Sequence, residues 1–267
     1  MPFCHPATVV SVTTVTPHMV RIGLEAVGDW RWTTEGWGDE RIDIAFPRPG
    51  ERVADIEFFN RPDYGNGNGD RGNEPPWRHY TVRRVLEEGR RIDVDFVVHP
   101  GGLASDWALR AAPGDVLGVF SSGPARAYYQ PAGSLSWQLL VADATGLPGL
   151  GRIVEELGEG DVAHAVVEVH SEADRQEFRT RGQVTYTWLV GSGMGLAPSA
   201  LLEAVEQLGF PEGDVYAWVA CESSTSRAIR RHLREMRGLA RDRHHAVGYW
   251  RLGADGHVPG MNGADSA

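Results

Sequence analysis

The arrangement of apolar runs changes in the middle of this chain, and that change limits the fold more than any other feature. Before residue 133, short β-favouring runs are separated by Pro, Gly and Asn, a spacing typical of an antiparallel barrel. Beyond it, apolar runs alternate with segments of helical spacing, which predicts parallel βαβ units. A length of 267 residues allows one large domain or two of ordinary size. We expect two domains, a barrel at 1–133 and an α/β domain at 134–267.

The first half predicts a hairpin, five further strands and one short helix. The hairpin covers 7–27 and turns at Pro17-His18. A polar, Gly-rich segment at 62–76 is interpreted either as a lid over the strand that follows it or as a tolerated surface insertion. The other predicted elements are strands at 41–46, 52–59, 77–84, 92–98 and 116–120, a helix at 106–112 and a turn at 121–124.

The second half predicts four strands and three helices in alternation. The last helix places Ile229, Leu233 and Met236 on one face, and its four arginines predict a solvated face rather than a partner surface. The strands are expected at 137–141, 163–169, 185–190 and 215–220, and the helices at 148–157, 198–208 and 225–237.

Composition excludes several classes of function. A formal net charge of -10 disfavours nucleic acid as a partner, because binding phosphates needs a basic surface. Only Cys4 and Cys221 are present, which excludes a disulfide framework and any cysteine spacing for zinc or an iron–sulfur cluster. The N-terminus does not resemble a signal peptide, and no apolar run approaches the ~18 residues of a membrane span. We expect a soluble cytoplasmic protein that does not bind membranes.

Two stretches of the first half suit a ligand with phosphates and a flat ring system. The strand at 77–84 carries the Arg78 guanidinium, the Tyr80 ring and the Thr81 hydroxyl within four residues. The strand at 92–98 runs into His99, Gly101 and Gly102 just before a helical segment, which directs backbone N–H groups toward an anion. Together these stretches predict a dinucleotide site.

Four motifs follow one another along the chain: Arg-x-Tyr-Thr at 78–81, Asp-Phe-Val-Val-His at 95–99, Ala-Ser-x-Trp-Ala at 104–108 and Gly-Tyr-Trp-Arg at 248–251. In this order they resemble the siderophore-interacting proteins, which are flavin reductases of the ferredoxin-reductase-like group. The resemblance implies that FAD carries electrons from NAD(P)H to a ferric siderophore, with no separate catalytic residue and no metal site. Reduction matters because Fe(II) is a poorer match than Fe(III) for hard oxygen ligands.

The resemblance also implies which residues hold the cofactor. Tyr80 has an alternative interpretation as an ordinary cross-strand aromatic, His99 as a strand-end histidine, and Trp250 as a core residue of the final strand. The implied cofactor-binding residues are Arg78, His79, Tyr80, Thr81, Val82, His99, Gly101, Gly102, Ala104, Ser105, Trp107, Asp143, Thr145 and Trp250.

Two loops compete for the nicotinamide nucleotide. The loop at 143–148 follows the first parallel strand, where the ferredoxin-reductase-like group receives this cofactor. The glycine string at 191–198 is the better phosphate loop by spacing alone. We favour the first loop because its position matches the group. Ala144 and Cys221 depart from the family pattern, however, which leaves a ferredoxin-type protein as an alternative donor.

For the substrate, the resemblance implies basic side chains that hold an anionic ferric siderophore. Arg251 and Arg126 fill two such positions, whereas Asp43 stands where the family commonly has Lys. We therefore expect a less positive pocket that prefers a neutral or cationic siderophore. Two alternative functions stay open at this point: a general NAD(P)H:flavin oxidoreductase with another acceptor, and a flavin-free siderophore-binding protein.

Overall fold

The computed structural model describes residues 3–64, 73–121 and 126–253. Six of its strands close into an antiparallel barrel in the order β1-β2-β5-β4-β3-β6. Alternate side chains of these strands, such as Ile22, Ile44 and Val94, are fully buried and fill the barrel, as the period of two in a strand requires. The strands are β1 Phe3–Thr16, β2 Met19–Ala26, β3 Arg41–Ala45, β4 Trp77–Leu86, β5 Arg91–Val97 and β6 Val116–Ser121.

The second half forms a five-stranded parallel sheet in the order β11-β10-β7-β8-β9. Its central strand β7 is buried along its whole length, which is typical of a sheet covered on both faces. The strands are β7 Trp137–Ala142, β8 Val162–Val169, β9 Gln183–Val190, β10 Val215–Glu222 and β11 His244–Trp250. The helices are α3 Leu147–Glu156, α4 Leu201–Gln207 and α5 Ser223–Glu235. The predicted barrel followed by a parallel α/β sheet is confirmed.

Three local predictions were wrong. Residues 52–59 do not form a strand: the Asp55 side chain accepts the Phe58 N–H and starts a short helix, α1 Ile56–Phe59. The helix expected at 106–112 lies earlier, as α2 Leu103–Ala108. Met236 does not share the buried face of α5 and is 75% exposed, because the helix ends at Glu235.

Some predicted features fall outside the described residues. The Gly-rich segment at 62–76 is described only at 62–64 and 73–76, so its interpretation as a lid or an insertion stays a prediction. The turn at 121–124 lies outside as well, apart from the backbone of its first residue. In the described ranges, no helix is both long and apolar enough to cross a lipid bilayer.

Buried polar contacts join the two domains beside β4. Arg83 of β4 makes two hydrogen bonds of 2.7 Å to the carboxylate of Glu155 in α3. The buried Asp39 carboxylate, which precedes β3, accepts the indole N–H of Trp218 in β10 at 2.7 Å. It also accepts the backbone N–H groups of Tyr128 and Tyr129, in the segment between the domains. These contacts hold the α/β domain against the strand that carries Arg78 to Thr81.

Candidate functional site

Strand β4 presents its predicted site residues on two faces. Tyr80 packs against the barrel core, and its ring lies near those of Phe96 and Phe46 at centroid distances of 4.4 and 6.1 Å. Burial raises the pKa of Tyr80, so that its phenol is neutral. Thr81 is buried on the other face, and its hydroxyl is hydrogen-bonded to Tyr249 of β11. One strand therefore contacts both the barrel core and the α/β domain.

Three of the predicted cofactor residues, Val82, Ala104 and Trp107, lie in the barrel core. Val82 is 0% exposed, its N–H donates to the carbonyl of Glu40 and its carbonyl accepts from Arg152. Trp107 is 3% exposed and packs on Phe46. In these positions they support the strand and α2 rather than line an open cleft.

The loop between β5 and α2 has the geometry of an anion site. Gly101 adopts a φ of +82°, a left-handed conformation that suits glycine. A Cβ on Gly102 would lie 2.6 Å from the His99 ring, so only glycine lets that ring lie against the loop. The buried Ser105 hydroxyl joins the loop ends, accepting the His99 N–H and donating to the His99 carbonyl, both at 2.6 Å.

The first turn of α2 has unused donors. No acceptor among the described residues takes the backbone N–H groups of Leu103, Ala104 or Ser105. Backbone N–H groups of this kind bind phosphate oxygens, and the half-buried Arg78 guanidinium of β4 is a second donor that can do so. The residues present therefore fit a cofactor with a diphosphate and a flat ring, such as FAD.

A cleft of about 260 Å³ lies where the two domains meet. One wall is the end of β5 with His99 and Pro100, and the other includes Ala144 and Leu147 from the first βα loop of the α/β domain. The cleft therefore joins the predicted phosphate loop of the barrel to the predicted nucleotide loop of the sheet, which lie in different halves of the sequence.

Sequence reasoning missed a histidine pair in this cleft. The rings of His18 and His170, one from each domain, stack with centroids 3.8 Å apart. Asp174 accepts the His18 backbone N–H at 3.0 Å, and its carboxylate lies 2.8 Å from the His18 ring nitrogen. Burial acts to raise the pKa of Asp174, but hydrogen bonds with Ser171 and His18 lower it. Only the Ser171-x-x-Asp174 capping pattern was visible in the sequence.

Asp143, Thr145 and Trp250 come together at the first βα loop. The buried Asp143 carboxylate accepts the Thr145 N–H at 2.8 Å and the Trp250 indole N–H at 2.6 Å. Burial raises the pKa of Asp143, while these hydrogen bonds act in the opposite direction. These hydrogen bonds hold the loop in place and connect it to β11. Asp143 therefore supports the shape of the loop with a carboxylate that is itself buried.

The competing glycine string is organised around a carboxylate. The buried Glu168 of β8 accepts the Ser192 hydroxyl at 2.7 Å and the Ala200 N–H at 2.8 Å. A Cβ on Gly193 would lie 1.8 Å from the Glu168 carboxylate. A carboxylate against the loop repels phosphate, which argues against the glycine string as a phosphate site, and the loop at 143–148 stays our prediction for the nucleotide.

The three predicted substrate residues lie at the protein surface or close to it. Arg251 and Arg126 are exposed, and the carbonyl of Arg126 accepts the Arg41 N–H at 2.7 Å. Asp43 is 24% exposed and lies 2.5 Å from the ring nitrogen of His79. The described residues contain no group of three or more His, Cys, Asp or Glu side chains placed to hold a metal ion.

Comparisons with known proteins cover both domains. Residues 8–128 match the model of the siderophore-interacting FAD-binding domain, and residues 135–253 match that of the siderophore-interacting protein family. A siderophore utilization protein from T. fusca has a crystal structure that superposes with a TM-score of 0.79 at 34% identity, covering 96% of this chain and 95% of that one.

Two curated relatives carry functional names. Ferric vibriobactin reductase ViuB of Vibrio cholerae is 32% identical over 68% of this chain, and the match spans 66% of ViuB, just under two thirds of its length. The NADPH-dependent ferric-chelate reductase of Escherichia coli is 28% identical over 91% of both chains. From both family models and the 34% identical structure, we conclude that this chain belongs to the siderophore-interacting protein family and has that family's FAD-binding domain.

Proposed function

We propose that this protein is an FAD-dependent ferric-siderophore reductase that uses NAD(P)H. The observation that carries the proposal is the domain junction itself. His99 and Pro100, at the start of the predicted phosphate loop, line the cleft on the barrel side, and Ala144 and Leu147 of the loop at 143–148 line it on the other side. Two reductases of ferric chelates among the relatives support the same reaction class.

The reaction depends on the reduction of Fe(III) to Fe(II). Fe(III) binds hard oxygen ligands tightly, and Fe(II) binds them less well, so one electron is enough to loosen the chelate. When bound, FAD supplies the means to accept two electrons as hydride from NAD(P)H and to transfer them singly.

The residues of this chain bind the cofactor and orient its ring system. Arg78 and the N–H groups of Leu103 to Ser105 hold the phosphates, and the neutral Tyr80 phenol lies along the ring system. Thr81, oriented by Tyr249, presents a hydroxyl at the junction. His79 lies beside Asp43 on the outer face of the barrel, and a contact between His79 and the cofactor stays a prediction.

For the electron donor, the loop at 143–148 supports NAD(P)H because it opens the first helix of a parallel sheet. A ferredoxin-type protein donor stays a second candidate, since Ala144 and Cys221 depart from the family pattern. The two are distinguished by the experiment below.

For the substrate, we keep the proposal that Asp43 shifts the preference toward a neutral or cationic siderophore. Arg41 reduces the size of the effect, because its guanidinium lies 3.1 Å from the Asp43 carboxylate. The test is Asp43→Lys: an unchanged preference against a triply anionic tris-catecholate complex would remove the idea.

Two further proposals concern organisation and compartment. The domain boundary lies near residue 133, within residues 127–136, which form neither helix nor strand. The protein acts in the cytoplasm, a proposal supported by the free, buried thiols of Cys4 and Cys221.

The test is a spectroscopic titration without oxygen. Flavin absorbance that bleaches with NAD(P)H and returns on adding a ferric siderophore, while a trap collects Fe(II), is the expected result. Bleaching by dithionite but not by NAD(P)H would assign the donor to a protein. Absence of flavin bands, even after incubation with FAD, would overturn the proposed function.

A further inference from the structure

A histidine–aspartate pair lies on the outer face of the barrel. The antiparallel register of β3 and β4 places Asp43 directly opposite His79. Side chains of such a pair share one face of the sheet, and here Nδ1 of His79 lies 2.5 Å from Oδ1 of Asp43. The His79 side chain is 35% exposed, so the ring is accessible from solvent.

The carboxylate of this pair is held in its charged form. Burial acts to raise the pKa of Asp43, but the hydrogen bond from His79 and the ion pair with Arg41 lower it. The Asp43 carboxylate at Nδ1 orients the His79 ring, so that the opposite nitrogen, Nε2, points away from the strand. No hydrogen bond from another described residue engages Nε2. The pair therefore presents an oriented ring nitrogen to an incoming ligand.

The surroundings of the pair carry charges of both signs. Arg41 and Asp43 of β3, His79 of β4 and the exposed Arg126 beside β3 are charged or titratable groups of this surface. Arg78 precedes His79 on β4 and therefore faces the other side of the sheet. Glu74 adds one carboxylate, which accepts the indole N–H of Trp77 at 2.9 Å, and the Trp77 ring contacts His79.

The same face leads to the domain junction. Thr81 follows His79 by two positions on β4, so both side chains point to the outer face, and Thr81 reaches Tyr249 of the α/β domain. The pair thus lies on a surface that includes the substrate candidates Arg126 and Asp43 and leads, through Thr81, to the domain junction.

We propose that His79, held by Asp43, donates a proton to the siderophore oxygen that iron leaves. The inference rests on the proposed reductase function and adds a catalytic residue to it. One electron from the flavin converts Fe(III) to Fe(II), and the weakened Fe–O bond breaks with both bonding electrons on oxygen. That oxygen takes the proton from Nε2, and the neutral imidazole regains a proton from water. Protonation stops the anionic oxygen from binding the iron again.

The first test compares two acceptors in the His79→Gln variant loaded with FAD. A general acid contributes roughly 10²–10⁴-fold to a rate, so release of Fe(II) from a ferric siderophore, measured with an Fe(II) trap, should fall at least about tenfold. Ferricyanide accepts an electron without losing a ligand, so its reduction should change by less than about twofold. Asp43→Asn should also lower Fe(II) release and leave ferricyanide reduction nearly unchanged, because it removes the carboxylate that orients the His79 ring.

The second test needs neither flavin nor turnover. In the flavin-free protein, the imidazole signals of His79 should shift in NMR spectra when a gallium(III) siderophore is added, because gallium copies Fe(III) but is not reduced. His164→Gln is the matched control: His164 is half-exposed on β8, remote from this face, and should alter neither rate.

The outcomes separate this inference from the proposed function. Equal Fe(II) release by the wild type and His79→Gln at every pH, or an unmoved His79 signal, would overturn proton donation while leaving the reductase in place. Loss of FAD from His79→Gln would assign His79 to cofactor binding and would also overturn the proposal that His79 donates a proton. A wild type that releases no Fe(II) would instead reject the proposed function.

Discussion

Arg152 of α3 donates a hydrogen bond to Glu40 across the domain junction, with Nη1 and Oε2 3.0 Å apart. The Glu40 side chain is 0% exposed and also accepts the Thr34 hydroxyl at 2.8 Å. The same Nη1 donates to the carbonyl of Val82 at 3.2 Å, directly after Thr81 on β4. The charge pair that joins the domains is therefore attached to the strand proposed to hold the flavin.

Removing Arg152 should destabilise the fold strongly. Arg152→Met leaves Glu40 buried without its cationic partner, a change that typically costs about 3–5 kcal/mol of unfolding free energy. Urea denaturation measures it. The matched control is Arg175→Met, whose ion pair with Glu172 is exposed and should contribute below about 1 kcal/mol. Equal losses of unfolding free energy in the two variants would mean that the buried pair stabilises the fold no more than the exposed one.

Glycine at position 146 should be required for the nucleotide loop. A Cβ there would lie 2.2 Å from the backbone oxygen of Ala220, which cannot move without disturbing β10. Gly146→Ala should lower stability by about 1–3 kcal/mol, as overpacking does, and weaken NAD(P)H binding in titrations. Gly209→Ala is the control, because a Cβ there meets nothing within 4 Å. Unaltered NAD(P)H affinity in Gly146→Ala would argue against a nucleotide at this loop.

The Arg83–Glu155 contact should make stability depend on pH. Burial acts to raise the pKa of Glu155, but the hydrogen bonds and charge of Arg83 lower it below the ordinary value of 4.5. The unfolded chain then binds more protons, so this contribution is complete above the unfolded pKa and is lost as the pH falls through the folded one. Urea midpoints at pH 7 and pH 4 should therefore differ less in Glu155→Gln than in the wild type. The same difference in both proteins would show that other groups cause the acid sensitivity.

Arg78 should contribute to FAD affinity. A charge-assisted hydrogen bond is worth about 1.5–3 kcal/mol, so Arg78→Met should weaken FAD binding about 10- to 100-fold. Quenching of flavin fluorescence on binding measures the dissociation constant. Arg84→Met, at an exposed position further along β4, is the control and should bind FAD normally. Parallel losses in the two variants would point to a general charge effect.

Much of the architecture could be predicted from local patterns. The alternation in β1 to β6 and the βαβ spacing of the second half each report which side of an element is buried, and that information is local. The prediction for residues 52–59 failed because apolar spacing over four residues does not distinguish a short helix from a strand. The Asp55 side chain caps the first turn and so favours the helix. The motif residues of β4 and of the loop at 99–105 could be found in the sequence because they are contiguous.

The sequence by itself determined the two-domain class, the order of the elements and the motifs that mark the family, since each depends on residues close together in the chain. Only the tertiary structure decided which distant groups meet. Trp250 reaches Asp143 over 107 positions, and His79 meets Asp43 through strand register. It also decided that Glu168 occupies the glycine loop that spacing alone favoured for phosphate. Such pairings depend on register and domain packing, which no local pattern of residues records.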